Sequence, residues 1–254
     1  MSIKTAVVNG VATIEIARPE KKNALTSAMY SEMAEALRAA QTNPEVRAVL
    51  IQGQPEIFTS GNDLEDFMNA PACDMTAPVF QFMFALLDCE KPVVAAVTGA
   101  AIGIGTTMLF HCDFVYVADE SRLAMPFVSL GLVPEFASSL LAPALMGPRL
   151  AAEHLLLGDP FTGEKAVEYG IANAVLPTSE VLKHARRVAE RFNALPPSGV
   201  RESKKLLRKG HAAQIREVIE AEAAIFGARL RGPEAQEAFQ AFFQKRKPDF
   251  SKFN

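Results

Sequence analysis

The sequence has few cysteines, no long apolar run and little net charge. Its three cysteines, Cys73, Cys89 and Cys112, lack the spacing of metal ligands, and an odd number in a chain without a signal sequence indicates a reducing compartment. No run of about 18 apolar residues is present, so no membrane-spanning helix is expected. The N-terminus lacks the apolar core of a secretion signal. These absences predict a cytoplasmic protein outside the membrane.

The formal net charge of −3 gives no sign of a nucleic-acid partner. With 254 residues, of which 49% are hydrophobic, the chain can form one large domain, or one domain with a small appendage. The sequence contains no internal repeat.

Hydrophobic periodicity predicts a βα-rich body over residues 1–195 and a helical region over residues 196–254, with Pro196-Pro197 at the boundary. Asn9-Gly10 is typical of a β-hairpin turn, and Thr26 of a helix N-cap. Residues 69–76 are small, polar and proline-containing, and predict a mobile loop. The predicted strands are 5–17 as a hairpin, 46–52, 92–97, 114–117 and 171–176; the predicted helices after the first are 64–68, 79–87, 138–146, 149–157, 162–170, 179–193, 200–208, 214–229 and 233–245.

The stretch 91–139 contains the most informative local pattern. A charge-free, β-branched strand leads into a glycine-rich turn that ends at Gly103-Ile104-Gly105 and opens a helix. Such a turn leaves backbone N–H groups free to hold an anion, and it is equally typical of close packing between a helix and a strand. Glu135 then stands alone in an apolar loop, where it fits either a chemical role or the first turn of a helix beside a proline.

Four segments, at residues 18–25, 58–64, 91–113 and 241–248, together resemble the crotonase (enoyl-CoA hydratase/isomerase) superfamily. The resemblance implies an α/β fold: a spiral of ββα units over residues 1–195, followed by a helical trimerisation region over residues 196–254. It also implies acyl-CoA thioesters as substrates, coenzyme A being part of the substrate, and a homotrimer or dimer of trimers. No separate cofactor and no metal are expected.

The family's chemistry needs an oxyanion hole, because a thioester enolate carries negative charge on its carbonyl oxygen. The resemblance assigns the two backbone N–H donors to Asn62 and Ile104, and one such donor is worth about 10²–10³ in rate. Helix dipole support is expected at Ile104, at the start of its helix.

The acidic residues depart from the hydratase pattern. Thr107 and Phe127 occupy the positions of the two glutamates of enoyl-CoA hydratases, and neither can accept a proton as a carboxylate does. Glu135, directly after Pro134, resembles instead the single acid of peroxisomal-type Δ3,Δ2-enoyl-CoA isomerases, which moves a proton from C2 to C4. An apolar wall around Glu135 would raise its pKa and make it a better base.

The resemblance also implies a set of substrate contacts. Arg18, Lys22 and Ala24 are expected at the nucleotide end of CoA, while Phe242 and Lys245 are expected to reach the CoA of a neighbouring subunit. Lys204, Lys205 and Arg208 are interpreted as a solvated helix face. The other implied substrate-binding residues are Ser60, Gly61, Asp63, Leu64, Gly103, Thr107, Phe127 and Pro134.

Four hypotheses follow from the sequence. The first is the isomerase, and the second is another reaction of the same superfamily, such as hydration with one acid. The third is a catalytically silent acyl-CoA-binding protein, for which a buried acid at Glu135 has no use. The fourth is an unrelated nucleotide-binding module, which fits poorly because Met108 replaces the third glycine of the dinucleotide fingerprint.

Overall fold

The computed structural model describes residues 2–69 and 74–253, so residues 70–73 of the loop expected at 69–76 lie outside the described residues. The strands are β1 Ile3–Val8, β2 Val11–Ile16, β3 Ala48–Gln52, β4 Ile57–Thr59, β5 Val93–Val97, β6 Ala100–Ile102, β7 Phe114–Ala118, β8 Arg122–Ala124, β9 Phe161–Thr162 and β10 Ala174–Leu176. The α-helices are α1 Ser27–Thr42, α2 Leu64–Asn69, α3 Pro78–Leu87, α4 Ile104–Thr107, α5 Ser138–Met146, α6 Pro148–Ala152, α7 Gly163–Glu168, α8 Thr178–Glu190, α9 Pro197–Lys209, α10 Ala212–Leu230 and α11 Pro233–Phe243.

The N-terminal hairpin confirms the turn prediction. Strands β1 and β2 pair antiparallel, with Val8 opposite Val11. The two turn residues, Asn9 and Gly10, have φ angles of 49° and 71°. Type I′ turns require positive φ at both central residues, which is why Asn-Gly is the strongest short hairpin signal.

The strands form two sheets whose members alternate along the chain from β3 to β8. The larger sheet has the order β1-β2-β3-β5-β7-β10 and the smaller one β4-β6-β8-β9. Each of β3, β5 and β7 in the larger sheet is followed by a short strand in the smaller sheet and then by a helix. This repetition is the expected spiral of ββα units. Strand β5 is fully buried at the centre, as its charge-free sequence predicts.

The smaller sheet was not predicted from the sequence. Its strands have only two or three residues, too few for a hydrophobic period to show. Strands β4 and β6 pair in parallel, so the turns that follow them come out at the same edge of the sheet. These two turns carry the glycines Gly61 and Gly103.

The helices beyond Pro196 are anchored to the body by buried charges. The Lys204 Nζ donates to the Lys91 carbonyl oxygen and to the Asp113 carboxylate, at 2.6 Å each. Arg208 donates to the other Asp113 oxygen at 3.0 Å. The interpretation of a solvated face is therefore right for Lys205, which is exposed, and wrong for Lys204 and Arg208. Their partners lie about ninety residues away in sequence and leave no local signal.

Across residues 2–69 and 74–253, no helix combines the length and the apolar character that crossing a bilayer requires.

Candidate active site

Two glycine turns pack directly against each other at the edge of the smaller sheet. Gly61 has a φ of +89°, and a Cβ placed there would lie 2.8 Å from the Ile102 carbonyl oxygen. A Cβ at Gly105 would lie 2.6 Å from Thr59 Cγ2. Gly103 has a φ of +57°, in the left-handed region that favours glycine. Gly105 thus serves close packing between helix and strand, which is confirmed, while the anion-holding role of the Gly103 turn stays a prediction.

The turn geometry leaves the N–H groups of Asn62 and Ile104 free. Leu25 donates to the Gly61 carbonyl and accepts from the Asp63 N–H, both at 2.8 Å, in a parallel bridge. Asn62 lies between the two residues that are bonded to Leu25, and in a parallel bridge such a residue points its own N–H away from the partner strand. Ile104 is the first residue of α4, where no helical acceptor exists for the N–H. Within the described residues, neither N–H donates to a protein acceptor.

Both turns open onto a cavity of about 620 Å³. Phe127 and Leu132 give it apolar surface, and its charged lining has both signs, with Lys21 and Lys22 beside Glu20, Asp63 and Glu65. This lining suits a ligand with an apolar part and a charged part. The predicted site residues that line it are Lys22, Ala24, Ser60, Gly61, Asn62, Asp63, Leu64, Gly103, Ile104, Phe127 and Phe242.

Two of the predicted basic contacts, Arg18 and Lys245, do not line this cavity in the described structure. The Arg18 guanidinium lies 2.6 Å from the Asp63 carboxylate and donates to the Ala24 carbonyl at 2.9 Å. It therefore ties the loop before α1 to the Asn62 turn and is largely screened from solvent. Lys245, just after α11, is exposed and is not among the residues that line the larger cavity in the described structure.

The tail of the chain reaches the cavity of its own subunit. Phe242 and Phe243, at the end of α11, line the 620 Å³ cavity from the same chain. The buried Glu237 carboxylate holds the segment beyond them, accepting from Arg246 at 2.5 Å and from Lys252 at 3.0 Å. Helix α11 folds back over the chain's own Val128–Leu130 turn. That Phe242 reaches the ligand of a neighbouring subunit stays a prediction.

The Glu135 carboxyl group is buried next to this cavity. It lines a second cavity, of about 30 Å³, and Asn62, Phe67 and Phe226 line both. The Thr107 hydroxyl donates to Glu135 Oε1 at 2.5 Å. Burial raises the pKa of Glu135 to about 8, the Thr107 hydrogen bond opposes that shift, and the Glu222 carboxylate adds to it. Glu135 is thus a carboxyl group poised to exchange a proton near neutral pH.

A strained turn carries Glu135. The next two residues, Phe136 and Ala137, both have φ of 58°. Left-handed backbone costs a non-glycine residue roughly 1–2 kcal/mol. Helix α5 begins at Ser138, with Ala137 as its N-cap, so Glu135 lies before the helix. The interpretation of Glu135 as a first-turn helix residue is therefore wrong. Pro134, partly buried, directly precedes it in the loop.

Two groups hold the strained turn from outside. The Glu222 carboxylate accepts from the N–H of Ala137 at 2.6 Å and from that of Ser139 at 2.9 Å. The His111 ring stacks on Phe136, and its Nε2 lies 2.8 Å from the Phe136 carbonyl oxygen. Burial lowers the pKa of His111 to about 4, so the neutral ring donates Nε2–H to that carbonyl.

Two polar residues of the site, Tyr30 and Glu222, were not predicted from the sequence. Tyr30, on the buried face of α1, donates its hydroxyl to Asn62 Oδ1. Burial, and then the Glu135 charge, raise the Tyr30 pKa. Glu222 lies in α10 three residues after the buried Ile219 and four before Phe226. A glutamate at a core-facing helical position is the signal that could have revealed it.

Among residues 2–69 and 74–253, no group of three or more histidine, cysteine, aspartate and glutamate side chains could hold a metal ion.

The alternating strands, paired glycine turns and free main-chain donors define the class of α/β proteins with the crotonase fold. The chain belongs to the enoyl-CoA hydratase/isomerase family, whose model matches residues 6–253.

Solved structures and curated relatives agree with this membership. The structure of Pseudomonas aeruginosa OdaA has a TM-score of 0.93 and 52% identity, covering 95% of this chain and 98% of that one. The chain is 36% identical to rat (Rattus norvegicus) enoyl-CoA delta isomerase 2 over 93% of its own length, but it spans only 62% of that protein. It is 31% identical to crotonyl-CoA hydratase of Syntrophomonas wolfei, over 94% of each chain.

Proposed function

We propose that the chain is a Δ3,Δ2-enoyl-CoA isomerase in which Glu135 moves the proton. The observation that carries the proposal is one buried carboxyl group with a pKa near 8, beside Asn62 of the oxyanion turn. Ionised Glu135 removes a proton from C2 of a 3-enoyl thioester, and the charge moves to the thioester oxygen. The Asn62 and Ile104 N–H groups stabilise that oxyanion. Protonated Glu135 then returns the proton to C4, which leaves the conjugated 2-enoyl thioester.

The surroundings of Glu135 favour this reaction over hydration. Isomerisation uses no water, no metal and no cofactor beyond the CoA of the substrate. Phe127 and Thr107 offer no second carboxylate, and a lost acid–base group typically costs about 10²–10⁴ in rate. Hydration remains the second candidate because the Thr107 hydroxyl and Glu135 together can hold a water molecule, and because one relative is named a hydratase.

The test compares two substrates with the same enzyme. We expect the chain to convert a 3-enoyl-CoA to the 2-enoyl isomer, followed by the rise in enoyl-thioester absorbance and by the unchanged product mass. Hydration of crotonyl-CoA should have a kcat/KM at least about 100-fold lower than isomerisation of a matched 3-enoyl-CoA. If hydration is as fast as isomerisation or faster, hydration replaces isomerisation as the proposed reaction.

A further inference from the structure

Glu222 lies on the C-terminal helix α10 and is buried against the turn that carries Glu135. Its two carboxylate oxygens accept one main-chain N–H each, from Ala137 and from Ser139. Ala137 is one of the two left-handed residues of the turn. A bidentate acceptor on these two N–H groups fixes the turn in the conformation that places Glu135 beside Asn62.

We infer that Glu222 is the positioning residue of the proton shuttle: it clamps the strained turn and places a second negative charge beside Glu135. The expected effect on turnover rests on the proposed function. The clamp itself is argued from the two hydrogen bonds that Glu222 accepts from Ala137 and Ser139. The Glu222 charge contributes to the raised pKa of Glu135, after burial as the main cause.

Several groups face Glu135 from the elements packed around it. Thr107 donates to it from α4, and Tyr30 on α1 has its own pKa raised by the Glu135 charge. His111 is neutral at working pH, and it reaches the turn through the Phe136 carbonyl. Among the described groups that shift the pKa of Glu135, Glu222 is the other carboxyl group; burial raises its own pKa, and the hydrogen bonds from Ser139 and Ala137 favour its ionised form. Its neutralisation should therefore lower the pKa of Glu135.

The test substitutes Glu222→Gln, which keeps the side chain's size and removes its charge and one acceptor. We expect kcat on a 3-enoyl-CoA to fall about tenfold or more with KM changed less than about twofold, and the acidic limb of the pH–rate profile to move to lower pH. The matched control is Glu220→Gln, an exposed glutamate on the same helix, which should leave both unchanged.

A rescue separates the clamp from a general effect on folding. Ala137→Gly removes the penalty of the left-handed residue, so Glu222→Gln/Ala137→Gly should recover part of the lost kcat. If Glu222→Gln alone does not fold, the same readouts are compared between Ala137→Gly and the double variant. The inference would be overturned if Glu222→Gln fails to fold both alone and together with Ala137→Gly. It would also be overturned if a folded Glu222→Gln variant has the wild-type kcat and the acidic limb of its pH–rate profile at the wild-type pH.

A measurement without substrate keeps this test independent of the proposed reaction. The carboxyl titration of Glu135 can be followed by infrared difference spectra against Glu135→Gln. In Glu222→Gln that titration should move to lower pH even if the chain has no isomerase activity, and an unmoved titration would contradict the positioning role. If the Glu135 titration shifts but the chain does not convert a 3-enoyl-CoA, the proposed isomerase reaction is contradicted and the positioning role of Glu222 is not.

Discussion

At the residue scale, the proposed reaction needs Glu135 in its ionised form. The buried surroundings of this carboxyl group disfavour that form. Replacing it by glutamine keeps its shape and removes its ability to accept a proton. We expect Glu135→Gln to keep the fold and CoA binding, and to lower turnover of a 3-enoyl-CoA by at least about 10²-fold. In the wild type, activity should rise with pH through about 8, the pKa of Glu135.

The control for this activity measurement is Glu217→Gln, an exposed glutamate of α10. Near-normal turnover in Glu135→Gln, measured beside that control, would remove Glu135 from the mechanism.

The same carboxyl group should make stability depend on pH. Its pKa is about 8 in the folded chain against an ordinary 4.5, so between these values the folded chain holds a proton that the unfolded chain has released. Folding stability therefore falls as pH rises from about 4.5 to about 8. Glu135→Gln should gain roughly 1–4 kcal/mol over the wild type at pH 8, and the gain should vanish near pH 4.5. Urea unfolding at the two pH values measures this, and a gain equal at both would contradict it.

Tyr30 and Asn62 form a hydrogen-bonded pair in the turn that carries one of the two proposed oxyanion donors. Tyr30→Phe leaves the partly buried Asn62 amide oxygen without its donor, and a lost hydrogen bond of this kind costs about 0.5–1.5 kcal/mol. Because the turn carries the Asn62 N–H, we expect kcat to fall about tenfold while KM changes little.

The matched control is Tyr169→Phe, whose hydroxyl lies beside His154 away from the described cavity lining. Equal kcat losses in the two variants would mean that Tyr30 has no special part in the turn.

At the element scale, the site depends on two turns that touch through their main chains. Gly61→Ala would force a Cβ to within 2.8 Å of the Ile102 carbonyl at a φ of +89°. We expect it to lower the free energy of unfolding by about 2–4 kcal/mol and to reduce turnover in the fraction that stays folded.

Gly210→Ala is the comparison, since its φ is −66° and no atom lies within 4 Å of the added Cβ. That variant should be neutral or slightly stabilising, because alanine reduces the freedom of the unfolded chain. The two variants are compared by urea unfolding and by kcat, and a Gly61→Ala variant as stable as Gly210→Ala would contradict the close approach of the turns.

Elements with a local signal were predictable. Asn9-Gly10 specifies its hairpin, Thr26 accepts from the Met29 N–H at the start of α1, and the apolar run of β5 identifies the central strand. The Gly103 turn was predicted from its local pattern and the Gly61 turn through the family resemblance, and their packing needed the structure.

Elements that depend on distant partners were not predictable. The strands of the smaller sheet are too short for a period, and Lys204 finds Asp113 across 91 residues. Glu222 reaches the Glu135 turn across more than eighty residues. In each case the residues in contact are far apart in sequence and meet only in the folded chain, so no short stretch of sequence contains both.

At the scale of the whole molecule, the apolar residues of the C-terminal helices divide into two groups. The apolar face of α10 suggests a trimer contact, but Ala223, Phe226 and Leu230 pack against the chain's own core, and Ile225 of the same helix is 54% exposed. Leu206 and Leu207 on α9 remain 68% and 83% exposed. Exposed apolar neighbours of this size are typical of an interaction surface.

We therefore expect the chain to sediment as a trimer or larger at micromolar concentration. Leu207→Asp should shift it toward smaller species, because burying a carboxylate at an apolar contact is unfavourable. Lys209→Glu, an exposed charge reversal on the same helix, is the control and should sediment as the wild type does. A stable wild-type monomer would contradict the expectation.

The two N–H groups proposed to hold the oxyanion belong to the main chain at Asn62 and Ile104. Replacing either side chain therefore leaves the N–H itself in place, as long as the glycines next to them keep their backbone angles. The proposed proton-moving group is a side chain, so substitutions at positions 107, 127 and 135 can change it without touching the two main-chain donors. In an evolving lineage the anion site is thus inherited almost unchanged, while side-chain substitutions at these three positions can exchange one reaction for another.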